Sequence, residues 1–513
     1  MESPVSMKTF NRRQILRAGG AASLLAMLPH RRAVAQTDDA RFLIVLTAYG
    51  GASIVDAQLA VSRSECAAAG GDPARLLTFG DHPGTTPSGE RYQLVRAVPG
   101  SPFRACAWRG TVNFGQPILR SIDQYEFVRR HKEDMLVMTQ TVTSVNHDTA
   151  QARSVSGNGA WRGRTLQEEV AASFGANMPL PNVHLATGSG FVRRRTDPSL
   201  DPRFSGEVVP DPTLWPLALS GHAAIASRLL GADVDRARRI RDEVIEPATT
   251  FGRVFGASAR RQAWLRTRAG RQADIEAANL TSRLLLREDG PDLPLADYGL
   301  SSAPERSRLA EVFPSLAEDP VEAQAALAFL LLKHRVSCAV TLGPNATGIT
   351  VGGPNDDDFL RQLSLGFDAS HTDHWSAQMW MWDRVMSLAD RLIGLLKEEP
   401  FGDGGSLWDR TVLLVATEFG RNRTRPPDAI EFSSGHDLNN GVLLISPRLR
   451  GNRVVGGVDP ATVTTFGAEP EDWSRPTPGR HLSEAHPYAL TLAALGVDTS
   501  GSGLPDMQRL VRG

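Results

Sequence analysis

The chain has 513 residues, 41% of them hydrophobic and 22% charged, with a formal net charge of −1. That length allows two or three average domains, or one large α/β domain with insertions, and the composition is that of an ordinary folded protein. A near-neutral balance argues against nucleic acid or an anionic membrane surface as partner, and the local block Arg193-Arg194-Arg195 reads as a solvated loop.

At the N-terminus, Asn11-Arg12-Arg13-Gln14-Ile15-Leu16-Arg17 precedes a modest apolar run from Ala18 to Leu28. Arg31 and Arg32 follow, then Ala33-Val34-Ala35 before Gln36. This order resembles a twin-arginine export signal with a small-residue cleavage site. Residues 1–35 are therefore expected to be a signal peptide, and the mature chain, 36–513, to be periplasmic or secreted. The apolar run is too short for a permanent membrane span, and no later segment approaches spanning length.

Arg41-Phe42-Leu43-Ile44-Val45-Leu46-Thr47-Ala48 predicts a strand buried on both faces, closed by Tyr49-Gly50-Gly51. Residues 66–110 are rich in Gly, Pro and Arg and read as an excursion. Cys66, Cys106 and Cys338 lack metal-type spacing; an exported chain permits a Cys66–Cys106 disulfide, but buried free thiols are the preferred expectation. Asp134 to Gln140 predicts a second core strand, followed by a polar loop and a helix over Thr149 to Ser156. Val183 to Thr187 reads as a further strand. From about 214 to 335, helical periodicity dominates, as in Asp233 to Ile245 and Ser258 to Arg287, and predicts a helical insertion or cap. Ser337 to Leu342, Thr411 to Ala416 and Val442 to Ile445 read as strands; Gln378 to Lys397 and Pro487 to Leu495 read as helices. Apolar strands alternating with helices predict an α/β fold, a doubly wound, mostly parallel sheet flanked by helices.

Open α/β sheets bind ligands beyond the carboxyl ends of their strands. The strand ends here carry Asp56 after Gly50-Gly51, then Asn146-His147-Asp148-Thr149, then Asp368-Ala369-Ser370-His371-Thr372-Asp373-His374. Thr417-Glu418-Phe419-Gly420-Arg421 follows Ala416, and Ser434-Gly435-His436-Asp437 precedes Val442. Carboxylate and neutral imidazole are the donors of zinc, manganese and iron sites. Bland readings stand beside these. Asp148 or Thr149 suits a helix N-cap, Arg421 suits an ion pair with Glu418, and His147 suits an unbound loop histidine.

With these motifs together, most of residues 41–506 resembles the alkaline-phosphatase-like superfamily, and within it an exported family of unassigned function. The resemblance is carried by Gly50-Gly51, Asp368 with His371 and His374, Glu418-Phe419-Gly420-Arg421, Gly435-His436, and the closing segment His486 to Gly496. It implies an alkaline-phosphatase-like domain with divalent metal ions, zinc among the candidates, acting on a phosphate or sulfate ester. It further implies Asp368, His371 or His374, and His436 in one metal site, and Asp56 with Glu418 in a second. Thr149 would be the nucleophile at a helix N-terminus, with Arg153 clamping the anion.

Departures from the pattern are specific. Phe419 stands where phosphatases place a ligand histidine, leaving the second site short unless His147 or His374 replaces it, and Asp368 to His371 is one residue shorter than the usual spacing. Thr149-Ala150-Gln151-Ala152-Arg153 lacks both the convertible residue and the proline of formylglycine sulfatases. A second function class, a non-catalytic exported binding or assembly protein on the same scaffold, follows from Phe419 and the helical insertion. A redox enzyme lacks support: there is no iron–sulfur cysteine spacing, and Gly188-Ser189-Gly190 is no dinucleotide fingerprint.

Overall fold

Two six-residue runs, Phe42–Thr47 and Thr411–Ala416, lie side by side in the middle of the main sheet with every residue buried. In a computed structural model of the chain, residues 39–76, 95–106, 122–185, 189–192, 197–219, 231–259, scattered positions of 261–278, 279–343, 366–371, 374–402, 404–422 and 433–512 are described. The expected signal peptide, Thr372 and Asp373 lie outside them.

The main sheet has eight strands, numbered here in chain order: β1 Phe42–Thr47, β2 Met135–Thr141, β3 Asn182–His184, β4 Glu207–Val208, β5 Ala339–Leu342, β6 Thr411–Ala416, β7 Asn439–Ile445 and β8 Arg453–Val455. They lie in the order β8-β2-β7-β6-β1-β5-β3-β4. Every neighbouring pair is parallel except the two made by β7, which runs against β6 and β2. The fold is thus α/β with a large, mostly parallel mixed sheet flanked by helices. Seven carboxyl ends and the amino end of β7 therefore share one edge of the sheet.

Helices flank it, among them, in the described residues, α1 Gln124–His131, α2 His147–Ser156, α3 Leu166–Phe174, α4 Pro320–Lys333, α5 His374–Glu398 and α6 Ala485–Leu495. Local chemistry sets their ends. Asn146 caps α2 by accepting from the Thr149 N–H, and Gly157 closes it with φ of 57°. Thr165 and Glu168 form a capping box on α3. Asp319 caps α4, with Pro320 at its first position. α4 is buried nearly all round because it is wedged between α5 and β5; α3, α6 and α2 pack together as a second group.

The described part of residues 214–335 is largely helical, with Gly231–Ile240 running into a π turn at Arg241–Ile245. Its last helix, α4, belongs to the layer packed on the sheet. All three cysteines are buried and free. Among the described residues, no helix is long and apolar enough to cross a membrane.

Candidate metal centre at the carboxyl edge of the sheet

Four segments meet at the shared edge. His147 is the first residue of α2, just beyond β2. Asp368 and His371 lie on a 3-10 turn, Gly366–His371, held against the β1 loop by the Phe367 N–H donating to the Tyr49 carbonyl at 3.0 Å. Arg421 and His436 face each other in a two-residue antiparallel ladder between Gly420–Arg421 and His436–Asp437. The Ser434 N–H donates to the Ser370 carbonyl at 2.8 Å and ties the His436 segment to the turn that carries Asp368 and His371.

One ligand atom from each of His147, Asp368, His371 and His436 lies within 4.8 Å of the others, so this group can hold a metal ion. His371 Nε2 and His436 Nε2 are 2.7 Å apart, and Asp368 Oδ1 is 3.2 Å from His147 Nε2 and 3.3 Å from His371 Nε2. A tetrahedral ion with bonds of about 2.0–2.1 Å sets neighbouring donors about 3.3 Å apart, inside the observed range. The group is reachable, with side chains of His147, Asp368 and His371 exposed by 25%, 24% and 42%.

Lone pairs make the case sharper than distance. His436 Nδ1 lies 2.8 Å from the Val145 carbonyl, which can only accept; Nδ1 therefore carries the proton and Nε2 the lone pair. Burial, then the nearby Arg421 charge, push His436 down to about 4, so the imidazole is neutral at pH 7. His371 is pushed down by the same two causes, and its Nε2 is faced by Arg421 Nη1, a pure donor, at 3.2 Å. Two imidazole lone pairs and a carboxylate oxygen thus converge, an arrangement that a cation resolves.

Arg421 is fully buried beneath the group. It donates to the Gly50, Phe367 and Ser434 carbonyls and, at 3.0 Å, to Asp368 Oδ1. Burial would raise the Asp368 carboxyl; the His147 and Arg421 contacts outweigh it and hold it at about 2. Burial likewise opposes charge on His147, yet hydrogen bonds to Asp368 and Glu418 carry it up to about 9. Phe419 stacks on His436 with ring centroids 4.1 Å apart and meets His147 edge-on at 4.8 Å. Gly51, at φ of 82°, lies under this layer: a Cβ there would sit 2.7 Å from the Phe419 ring and 2.9 Å from Arg421 Nε.

The remaining expected residues are placed as follows. Glu418 is fully buried behind His147, with Oε1 accepting from His147 Nδ1 at 3.0 Å. Asp56 and His374 pair with each other at 3.2 Å, both sealed from solvent and outside the four-residue group. Thr149 is the third residue of α2, half-buried, with its N–H on the Asn146 cap. Arg153 donates to the Thr143 carbonyl at 2.7 Å and hydroxyl at 3.0 Å, tied to its own loop. Sequence reasoning gave His147 only a substitute's role, although its place beyond β2 matched that of the other ligands. It also paired Arg421 with Glu418, whereas the guanidinium bonds Asp368.

Searched against models of known protein families, against curated proteins and against solved structures, the chain matches none.

Proposed function

We propose that the chain is an exported metal-dependent hydrolase or transferase of the alkaline-phosphatase-like superfamily, acting on a phosphate or sulfate ester. The observation that carries this reading is the convergence of His147, Asp368, His371 and His436 at the ligand-binding edge of the sheet. A donor set of three imidazoles and one carboxylate suits zinc, iron or manganese. Such an ion supplies Lewis acidity, polarising an ester oxygen and acidifying water. Arg421 offsets one carboxylate charge, so a divalent ion beside Asp368, Glu418 and Arg421 leaves a formal surplus of one positive charge, which suits an anionic substrate. Thr149, in the first turn of α2 at its positive end, is the nucleophile in this reading.

Purified mature protein tests it, by metal analysis and by hydrolysis of aryl phosphate, phosphodiester and aryl sulfate. No bound metal and no turnover, in folded protein, overturns it. Asp368→Ala and His436→Ala are each expected to lose the metal, whereas Thr149→Ala keeps metal and loses turnover. A fully active Thr149→Ala removes Thr149 from the mechanism.

Two observations favour a second reading, a metal-holding binding or assembly protein without turnover. Phe419 packs on two of the ligand imidazoles and offers no donor, and Arg153 is engaged by Thr143. A stable periplasmic partner recovered with metal-loaded, inactive protein distinguishes it.

A further inference from the structure

We infer that Glu418 is a positioning residue for the centre: its carboxylate orients the His147 imidazole so that Nε2 faces the ligand group. This rests on the metal reading above. Glu418 Oε1 accepts from the Gly50 N–H at 2.8 Å, from Gln151 Nε2 at 3.1 Å and from His147 Nδ1 at 3.0 Å. Gln151 is itself fixed, because its Oε1 accepts from the Gly190 N–H at 2.6 Å and so turns its NH2 toward Glu418. The acceptor that faces His147 is thus clamped by one backbone group and one buried amide, two residues beyond the rigid end of β6.

Oε1 is already the acceptor of two other hydrogen bonds, so His147 Nδ1 keeps its proton, and the proton displaced when the ring binds a metal ion is the one on Nε2. That nitrogen is the one 3.2 Å from Asp368 Oδ1. His436 is arranged in the same way by the Val145 carbonyl. Outer partners of this kind fix tautomer and ring direction at metal-binding histidines. Burial makes a purely structural purpose poor. Glu418 is fully buried, and its second oxygen, Oε2, makes no hydrogen bond among the described residues. A desolvated carboxylate with one oxygen unsatisfied costs stability, which an apolar residue of similar size at that position avoids.

The test is cobalt(II) titration of the full mature chain, followed by visible absorption, with the metal-free melting temperature measured in parallel. Glu418→Gln keeps the shape and loses the charge. It is expected to bind cobalt roughly 10–100-fold more weakly, with a changed spectrum. In a His147→Ala background the same substitution is expected to change affinity by less than about threefold, because neighbours acting through one contact are not additive. Glu418→Asp, which restores the charge at shorter reach, is expected to fall between wild type and Glu418→Gln, and serves as the probe if Glu418→Gln does not fold. Wild-type affinity and spectrum in the folded Glu418 variant overturn the inference while leaving the metal reading intact. So do losses that add fully to that of His147→Ala. Wild-type protein that takes up no cobalt overturns the metal reading, and this inference with it.

Discussion

Two histidine–carboxylate groupings are built from segments that leave or enter the main sheet, and they differ in kind. In the open one, His147, Asp368, His371 and His436 bring ligand atoms together at a solvent-reachable edge. In the closed one, Asp56 and His374 face each other at 3.2 Å with no exposed surface. The residue types match, and His374 shares the segment beyond β5 with Asp368 and His371. What separates the two is the number of converging lone pairs and a path for an ion. A buried carboxylate and imidazole in hydrogen-bond contact satisfy part of each other's polarity; four donors around a common space do not.

The largest expected effects break that contrast directly. Loss of Asp368 or His436 removes one of the four converging donors, and under the proposed metal reading the affinity cost is expected to exceed the roughly 100-fold that loss of an outer partner brings. Asp56→Ala and His374→Ala are expected to do the reverse. Each leaves one buried polar group without that hydrogen bond, with a stability cost of about 1–3 kcal/mol, while surviving folded protein keeps the metal affinity of the wild type. Denaturant unfolding alongside metal analysis reads both. If His374→Ala loses metal stoichiometrically with its fold intact, the sealed pair belongs to the centre and the contrast fails.

A smaller effect is expected at Gly51, which supports only the open group. Gly51→Ala places a methyl group against Phe419 and Arg421 at a φ of 82°. The strain is expected to cost about 1–3 kcal/mol. Because Phe419 and Arg421 touch His436, His371 and Asp368, metal affinity should drop with stability. Isothermal metal titration of Gly51→Ala and of an overpacked site remote from the edge separates the two consequences.

The central strands were legible because β1 and β6, buried on both faces, leave continuous apolar runs that no other element of their length explains. Edge strands leave no such mark. β4 has two residues and β8 three, and the small sheet of Gly457–Val458, Thr465–Glu469 and Asp472–Thr477 is mixed in composition; none was anticipated. At the site, Asp368, His371 and His436 were visible as strand-end donors, but their convergence depends on topology. His436 reaches the edge because β7 is antiparallel and begins where its neighbours end. His147 was obscured by its surroundings, since His-Asp-Thr ahead of a helix reads as a cap, and the cap proved to be Asn146. Arg421 shows the limit of local reasoning. Glu418 is its near neighbour in sequence, yet the ladder with His436 turns the guanidinium to Asp368, 53 positions earlier.

A third contact, on the α1–α5 interface, sharpens the comparison at the smallest scale. Asp390 Oδ1 accepts from His131 Nε2 at 2.8 Å and from Arg130 at 2.9 Å, and among the described residues it belongs to no group of metal-type donors. Burial would raise the Asp390 carboxyl, but the His131 and Arg130 contacts outweigh it and hold it below the ordinary carboxylate range. A depressed folded value gives stability that is present above the unfolded value near 4 and is lost as pH falls through the folded value. Asp390→Asn is therefore expected to cost about 1.5–3 kcal/mol at pH 7, the range for hydrogen bonds to charged groups, less whatever the exposed Arg130 contact loses to solvent. The difference from wild type should shrink below about pH 4, once the wild-type carboxyl is protonated too. Thermal unfolding of both proteins from pH 7 to pH 3 measures this. A gap that stays constant across the range means that His131 and Arg130 stabilise through packing rather than charge. In that case, carboxylate–histidine contact alone is no guide to electrostatic function in this molecule, and the open centre is left to stand on the convergence of its donors.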